Sequence, residues 1–566
     1  MKLRHALLGA AAVAALAAPA FAGRGDDGEV KLIYWQAASL MNPYLSGGTK
    51  ELEAASMVIE PLARYDQDGN MVPWLVDEIP TLDNGGVSKD LKSITWKLSE
   101  GLKWSDGTPV TAQDVRFTWQ YCTADGGGCA QAEKFNDIAD VEVIDDRTVT
   151  VHFSVPKPFP YAAFVGYESP IIQKAQFENC MGPKAPECTE ANFAPIGTGP
   201  FVVTEFRPND VITLKANDNY RDPNKPAFAK VTFKGGGDAA AAGRSVLETG
   251  EFDYAWNLQL APDVLSKMAS AGKGKVVSGF GTLVERIMVN LTDPDPKWGD
   301  ERSTLKHPHP FLTDINVRKA LSMAIDRQLL VDVGYGVAGK VTCNILPAPA
   351  IYASTANDGC KVQDIAGANK LLDDAGIVDT DGDGIREKDG VPLKILYQTS
   401  TNAVRQDFQA LIKQWWSQIG VETELKNIDA SVFFGSDPGS PDTYQKLWAD
   451  VEMYANNFSG SDPEAYMANW HSSKIPSPET QWQGSNMPRF VNAEYDAMVA
   501  EMAVTGDINK RAELAKAMND MLMQNYVMIP LVYRGRVSAH SNSLGGVKLN
   551  TWDSELWNIA DWYRIK

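Results

Sequence analysis

The pattern of apolar and polar positions divides the chain into two regions with different predicted elements. In the first region, a run of apolar residues predicts a buried strand at 30–35, and alternation predicts hairpins at 94–104 and 141–153. Short helices are predicted at 51–60 and 111–118, the second with Asp114 in its first turns. Small β units therefore dominate this region.

After about residue 310 the apolar positions recur at helical spacing. Asp314 and Asp364 can cap two helices, and two more are predicted at 404–419 and 508–523. Strand-like runs separate or follow these helices at 393–397, 421–425 and 528–533. This alternation predicts an α/β arrangement for the second region.

The N-terminus has the features of a secretory signal peptide. Lys2, Arg4 and His5 precede an apolar run over 6–18, and the small-residue triplet Ala20-Phe21-Ala22 follows. The run is shorter than the roughly 20 residues that span a bilayer. We expect cleavage after Ala22, no lipid anchor because no cysteine follows the cleavage point, and a periplasmic location.

Composition and charge narrow the class of protein. The chain has 566 residues, of which 44% are apolar and 22% charged, and this composition excludes a disordered chain. The net charge of −19 argues against a nucleic-acid partner. Six cysteines form three pairs that are close in sequence, which in an exported chain predicts disulfides within these pairs: Cys122 with Cys129, Cys180 with Cys188, and Cys343 with Cys360.

Motifs of catalytic chemistry are absent from the sequence. There is no His-Glu-x-x-His and no Gly-x-Ser-x-Gly, and the phosphate-loop-like run at 334–340 is followed by Val341 where a Ser or Thr would bind magnesium. We therefore expect no enzyme. A secreted hydrolase whose catalytic residues are distant in sequence stays open as an alternative.

One acidic loop has the spacing of a calcium site. Asp379, Asp381 and Asp383 alternate before Gly384, but the twelfth position is Gly390, where a bidentate Glu would complete the site. The loop is therefore interpreted as either a calcium site or a solvated turn before a strand. No other cofactor is expected.

Several stretches together resemble the solute-binding family that serves peptide, dipeptide, oligopeptide and nickel ABC importers. They occur in the family's order and cover nearly the whole chain after residue 22: 94–115, 195–201, 217–220, 314–327, 368–390, 462–463 and 528–531. The resemblance implies an α/β, two-lobed periplasmic-binding-protein-like fold with an extra small domain inserted in the first lobe. The implied boundaries are 1–22 for the signal peptide, 23–64, 196–300 and 535–566 for the first lobe, 65–195 for the inserted domain, and 301–534 for the second lobe.

The same resemblance implies a function without catalysis. The lobes would close on a small solute and deliver it, as a monomer, to a membrane-embedded ABC permease. Peptide-binding relatives hold the ligand's amine with an aspartate shortly before an Asp-Pro, and Ser459 occupies that position here. A peptide or peptide-like solute is the first hypothesis, an oligosaccharide or opine-like conjugate the second, and a periplasmic chaperone a further alternative; nickel is not expected with so few histidines.

Candidate ligand-binding residues are aromatic, amide or charged side chains in polar loops and near strand ends, and Arg405 and Arg489 are candidates to meet a carboxylate or a phosphate. The set is Trp35, Trp256, Asn257, Arg405, Tyr454, Asn456, Asn457, Ser459, Asp462, Asn486 and Arg489. Substituting Trp256 or Asn457 with Ala is expected to weaken binding with little change in melting temperature.

Overall fold

A computed structural model describes residues 23–435, 437–458 and 460–565. The predicted signal peptide at 1–22 lies outside the described residues, and so do the predictions about its cleavage and about a lipid anchor. The predicted ligand residue Ser459 lies outside them as well. No helix among the described residues is both long enough and apolar enough to cross a membrane.

The first half of the chain is rich in strands, as its sequence pattern predicts. Its strands are β1 (Glu29–Tyr34), β2 (Ala63–Tyr65), β3 (Met71–Pro73), β4 (Ser93–Lys97), β5 (Ile138–Val143), β6 (Thr148–Phe153), β7 (Phe201–Arg207), β8 (Val211–Ala216), β9 (Lys230–Gly235), β10 (Tyr254–Ala255), β11 (Gly274–Gly279) and β12 (Val284–Val289). Its helices are α1 (Thr49–Ala55), α2 (Ala112–Thr123), α3 (Lys174–Phe177), α4 (Thr189–Phe193), α5 (Ala239–Leu247) and α6 (Pro262–Ala269).

The second half alternates helices and strands. Its strands are β13 (Gly339–Val341), β14 (Glu387–Lys388), β15 (Val391–Pro392), β16 (Lys394–Ser400), β17 (Glu422–Ile428), β18 (Val451–Asn456), β19 (Met528–Arg534), β20 (Arg536–Ser541), β21 (Leu544–Gly545) and β22 (Tyr563–Arg564). Its helices are α7 (Ile315–Met323), α8 (Arg327–Gly334), α9 (Ile365–Asp374), α10 (Ala403–Ser417), α11 (Ala430–Phe433), α12 (Glu464–Met467), α13 (Ala493–Val504) and α14 (Ile508–Gln524).

The strands assemble into two large sheets that define two lobes. The first-lobe sheet has the order β11-β20-β10-β1-β9-β8-β7, and the second-lobe sheet has the order β13-β19-β12-β18-β16-β17. Helices cover the second-lobe sheet on both faces: α7 to α10 contribute to one apolar core, and α12 to α14 contribute to another. A third sheet, β4-β6-β5, lies within 65–195, the range expected for the inserted domain.

Two short connections carry the chain between the lobes. One joins β11 to β12, and the other joins β19 to β20 through Gly535 alone. Because β12 pairs with β18 and β19 of the second-lobe sheet, the predicted boundary at residue 300 is wrong: the chain leaves the first lobe between 279 and 284. The same pairing makes β12 a central strand of the second lobe.

Local sequence signals account for most helix starts. The side chains of Asp314, Asp364 and Asn402 accept backbone N–H bonds at the starts of α7, α9 and α10, which satisfies donors that a helix leaves free. The hairpin predicted at 94–104 is wrong, because β4 pairs with β6, more than 50 residues away, instead of with its neighbour. The hairpin predicted at 141–153 is confirmed as β5 and β6.

The three disulfides join the cysteines that lie close together in sequence. The structure pairs Cys122 with Cys129, Cys180 with Cys188, and Cys343 with Cys360. The first two lie within 65–195, and the third fastens the loop after β13. These pairings match the prediction.

Candidate functional site

A cavity of about 320 Å³ lies where the two lobes and the inserted domain meet. Gly47 of the first lobe and residues 129–134 of the inserted domain line one side, and second-lobe residues between 444 and 487 line the other. A smaller cavity of about 120 Å³ adjoins it and shares Gly47, Tyr444, Tyr454, Asn456 and Asn457 with it. We call these the main cavity and the side cavity.

The end of β18 delivers polar side chains to both cavities. Tyr454 and Asn456 are the last inward positions of this strand, and Asn457 follows it directly. Antiparallel pairing sets Arg286 of β12 opposite Tyr454, so that a cation and an aromatic ring are neighbours at the cavity wall. The central strands of the second lobe therefore build one wall of the site.

Arg286 is buried in an aromatic cluster at this wall. Its guanidinium carbon lies 5.5 Å from the ring centre of Tyr454, 5.9 Å from that of Tyr466 and 5.6 Å from that of Trp470. Its Nη1 donates to the hydroxyl of Tyr466 at 2.8 Å. Among the described residues, no carboxylate lies within ion-pair distance of this cation.

The inserted domain supplies charged groups to the opposite wall. Lys134 Nζ lies 2.5 Å from Glu168, and both residues line the main cavity. Burial raises the pKa of the neighbouring Glu133, although Lys134 opposes the shift. The opposite wall therefore carries an ion pair and a carboxyl group that readily accepts a proton.

Direct contacts join the two lobes. Arg534 Nη2 of the second lobe donates to Asn257 Oδ1 of the first lobe at 2.6 Å, and Asn402 Nδ2 donates to Gln259 Oε1 at 3.3 Å. The backbone N–H of Gly460 donates to the carbonyl of Trp552 at 3.0 Å. A solute in the main cavity would be enclosed by both lobes.

The structure brings six of the predicted ligand residues to these cavities. Tyr454, Asn456 and Asn457 line both, and Trp256, Asn257 and Arg405 line the side cavity. Trp256 is only 4% exposed and stacks on Tyr34 with ring centres 4.8 Å apart. The ring of Trp256 therefore supports the first-lobe core as well as bordering the side cavity.

Arg405 borders the side cavity but already has a partner. Its Nε donates to Glu285 Oε1 at 2.7 Å, and Arg534 lies 3.5 Å from the other oxygen of the same carboxylate. Burial alone would raise the pKa of Glu285, but Arg405 and Arg534 hold it below its ordinary value. Arg405 therefore borders the side cavity as one member of a buried ion pair, and its contact with a solute stays a prediction.

Trp35 and Asp462 lie outside the main and side cavities. Trp35 packs in the first-lobe core, and its Nε1 donates to the carbonyl of Asn257 at 2.8 Å. Asp462 pairs with Arg511 at 2.6 Å and accepts the backbone N–H of Glu464 at the start of α12. In the structure these two side chains hold the backbone and the start of a helix, and neither reaches the two cavities.

Asn486 and Arg489 also have structural roles. The amide of Asn486 donates to the carbonyls of Trp470, His471 and Phe490. Arg489 donates to four backbone carbonyls, and burial lowers its pKa to about 9. Both side chains are fully buried among main-chain groups, so neither is available to a solute.

Arg286, Tyr444 and Tyr466 line the main cavity and are not among the residues predicted from sequence. Arg286 had a signal in the sequence, because it and Glu285 are charged residues inside the otherwise apolar segment Val284–Val289. The two tyrosines had none, since an aromatic residue near a strand or in a short helix is typical of a core.

The acidic loop brings its carboxylates together away from the two cavities. Oxygens of Asp379, Asp381, Asp383 and Glu387 lie within 4.8 Å of one another. Backbone N–H groups of Gly382 and Gly384 donate to Asp379, and they lower its pKa. The oxygen donors suit calcium in kind, and the same loop is held by its own hydrogen bonds.

The chain matches the model of the bacterial extracellular solute-binding proteins, family 5, over residues 70–477. It is 26% identical over 530 residues to the nickel-binding periplasmic protein of Escherichia coli K12, an alignment that covers 90% of this chain and 89% of the relative. It is 23% identical over 542 residues to the glutathione-binding protein GsiB of the same strain, with 94% of each chain covered.

Two solved structures show the same fold. The oligopeptide-binding protein AppA of Bacillus subtilis, in complex with a nonapeptide, has a TM-score of 0.81 at 22% identity and covers 96% of this chain and 100% of its own. NikZ of Campylobacter jejuni, in complex with Ni(L-His), has a TM-score of 0.77 at 22% identity and covers 95% and 100%.

Proposed function

The chain belongs to the family 5 bacterial extracellular solute-binding proteins, and from that membership we propose that it captures a short peptide or peptide-like solute for an ABC importer. The observation that carries the proposal is the main cavity, which is walled by the inserted domain on one side and the second lobe on the other. A solute that contacts both walls binds the closed state more tightly, and it therefore shifts the population of lobes towards closure.

The size of the main cavity favours a short solute. At about 320 Å³ it is near the lower end of the roughly 300–1,000 Å³ typical of ligand pockets. The side cavity adds about 120 Å³ beyond Tyr454 and Asn457. A di- or tripeptide, or an opine-like conjugate of similar length, suits this space better than a long peptide.

The polar groups at the cavities suit a peptide backbone. Asn456 and Asn457 each offer a donor and an acceptor, as an amide-rich ligand requires. The same groups suit the hydroxyls of an oligosaccharide, which is the second candidate. None of the histidines in the part of the chain described lines either cavity, so a nickel solute would have to bring its own ligands, as a nickel–histidine complex does.

Membership of the family also supports a proposal about where the chain acts and which partner it meets. We propose that the mature chain acts as a periplasmic monomer, docks in its closed form on a membrane-embedded permease, and releases the solute unchanged. We further propose that it catalyses no reaction. Lobe closure then couples solute binding to binding of the permease.

A thermal-shift screen of the purified mature chain tests this proposal. Di- to pentapeptides, opine-like conjugates, oligosaccharides and nickel–histidine should be compared, because a solute that binds the folded state at 100 times its Kd stabilises it by about 2.7 kcal/mol. We expect a short peptide or conjugate to raise the melting temperature and to be recovered intact by mass spectrometry. Stabilisation by oligosaccharides alone would support the second candidate, and conversion of the bound compound would support a hydrolase.

A further inference from the structure

Arg286 is a buried cation whose donors are largely unused. Its side chain is 1% exposed and lines the main cavity, yet its single hydrogen bond within the described chain goes to the Tyr466 hydroxyl. Its Nε has no acceptor among the described groups. A guanidinium has five N–H donors and stays charged in proteins, so an acceptor is missing here.

Comparison with other buried arginines shows that this deficit is unusual in the described chain. Arg64 pairs with Asp553 at 3.0 Å, Arg405 pairs with Glu285 at 2.7 Å, and Arg489 donates to four carbonyls. Each of these cations is compensated by the protein itself. Within the described part of the chain, Arg286 has only a phenol and the faces of three aromatic rings.

Two further donors in the same cluster also lack partners. The hydroxyl of Tyr454 and the indole Nε1 of Trp470 are buried, and neither forms a hydrogen bond to any described group. Both residues line the main cavity beside Arg286. The cluster therefore combines a positive charge with several unused donors, which a carboxylate satisfies because it carries two oxygens and accepts about four hydrogen bonds.

We propose that Arg286 is the anchor for a carboxylate of the solute, and that the solute class is an organic acid. This inference rests on the proposed function, because it concerns the same cavity. A peptide would be held by its C-terminal carboxylate at the second-lobe wall, and an opine-like conjugate by one of its acid groups. Neutral oligosaccharides would leave the buried charge unpaired, which is costly.

The test uses matched probes that differ only in the acid group. Tripeptides are compared with the same tripeptides as C-terminal amides, and opine-like conjugates with their methyl esters; neutral oligosaccharides complete the set. Affinities are measured by calorimetry on the full mature chain and on three variants. Arg286→Met removes the charge with a similar volume, Arg286→Lys keeps the charge without the planar fork, and Arg302→Met is the control.

Arg302 is a matched control because its chemistry is similar and its place is different. Its guanidinium carbon lies 3.5 Å from the ring centre of Trp448, its Nε also lacks a partner among the described groups, and it lines neither the main nor the side cavity. Loss of an aromatic-stacked arginine is thus common to both Met variants. Only the Arg286 variant removes a cation from the solute site.

The expected result is that acids bind and their amides or esters bind at least about 30-fold more weakly, because a buried charge loses its partner. Arg286→Met should remove this preference, Arg286→Lys should lower acid affinity while keeping the preference, and Arg302→Met should behave as the unsubstituted chain. Without solute, Arg286→Met should melt at the same or a higher temperature, since it deletes an unpaired buried charge.

Two results would overturn the inference and leave the proposed function standing: equal binding of acids and amides, or unchanged acid affinity in Arg286→Met. If that variant does not fold, unchanged acid affinity in Arg286→Lys overturns it in the same way. If no probe of any kind binds the unsubstituted chain, the proposed function fails and the inference fails with it.

Discussion

Lys157 Nζ lies 3.0 Å from Glu464 Oε1, and this ion pair joins the inserted domain to the second lobe. The same ammonium group lies 2.7 Å from Asp137 within the inserted domain. Glu464 is also held by Arg511 at 3.1 Å. Because both partners of the pair have anchors in their own domain, the contact between them forms or breaks with the closure of the lobes.

We predict that Lys157→Met weakens solute binding by about 3- to 30-fold, because the closed, binding-competent state becomes less populated. The melting temperature should change little, since Arg511 still pairs with Glu464. Calorimetry measures the affinity, and the radius of gyration from X-ray scattering measures closure. Lys370→Met, which removes an exposed pair with Asp374 within one helix, is the control; equal effects of the two variants would contradict the prediction.

Substitutions of Asn457 and Asn486 should have different effects, because one side chain lines the cavities and the other holds the backbone. The Asn457 side chain lines both cavities, and among the described groups its Nδ2 reaches only the carbonyl of Phe458, at 3.5 Å. Asn457→Ala should weaken binding by about 2- to 12-fold, the value of one hydrogen bond, with little change in melting temperature. Asn486→Ala should instead destabilise the fold by about 2–4 kcal/mol, because three buried carbonyl groups lose the donor that Asn486 provides. Chemical denaturation measures the stability of both variants, and calorimetry measures their affinity for the solute. A loss of stability in Asn457→Ala with no loss in Asn486→Ala would contradict the prediction.

Trp256 calls for a different prediction from the one that its sequence context supports. Its ring stacks on Tyr34 in a buried environment, so Trp256→Ala should cost about 3–5 kcal/mol of unfolding free energy. Trp256→Phe keeps part of the stack and should cost less. Urea denaturation of both variants measures this difference, and an unchanged midpoint for Trp256→Ala would show that the ring does not support the core.

Local signals in the sequence predicted most of the secondary structure. Asp314 and Asp364 cap their helices through their own side chains, so a short window contains the cause. The pairing of β4 with the distant β6 depends on chain topology, which no window contains. The lobe boundary failed for the same reason, because β12 belongs to the second lobe only through its partners β18 and β19.

The site was predicted in part, and the errors share one cause. Tyr454, Asn456 and Asn457 were predicted because they lie just before Asp462-Pro463, in the segment that resembles the ligand-binding segment of peptide-binding relatives. Asn486 and Arg489 look equally polar in sequence, but backbone carbonyls from distant segments consume their donors. Arg286 shows the opposite case, since its importance comes from acceptors that its surroundings do not supply.

The acidic loop gives a prediction about metal removal. Asp379, Asp381 and Asp383 each accept backbone N–H groups of the same loop, and Glu387 accepts from Thr380. We predict that EDTA leaves the melting temperature unchanged, because these bonds hold the turn without a cation. Calorimetric scans with EDTA, then with added calcium or magnesium, check this. A fall with EDTA that calcium alone reverses would instead show that the loop binds calcium.

Glu452 makes the stability of the second lobe depend on pH. Glu452 lies on β18, the strand between β12 and β16, and its carboxyl group is fully buried. One oxygen accepts from Gln398 Nε2 at 3.0 Å, and the other has no partner among the described groups. Burial raises its pKa from 4.5 to about 8. The folded state therefore keeps a proton that the unfolded chain has lost above about pH 4.3.

The sign of the effect follows from this difference in bound protons. The contribution of Glu452 to stability is complete below the unfolded pKa, and it declines as the pH rises through the folded pKa. Glu452→Gln keeps the shape of the protonated acid and cannot ionise. The difference in melting temperature between Glu452→Gln and the unsubstituted chain should therefore increase from pH 5 to pH 8.5 in favour of the variant. Because a pKa difference of one corresponds to about 1.4 kcal/mol of stability, we expect an increase of several degrees. Differential scanning calorimetry at these two pH values measures the gap, and a gap that does not widen would show that Glu452 ionises as readily in the folded protein as in the unfolded chain.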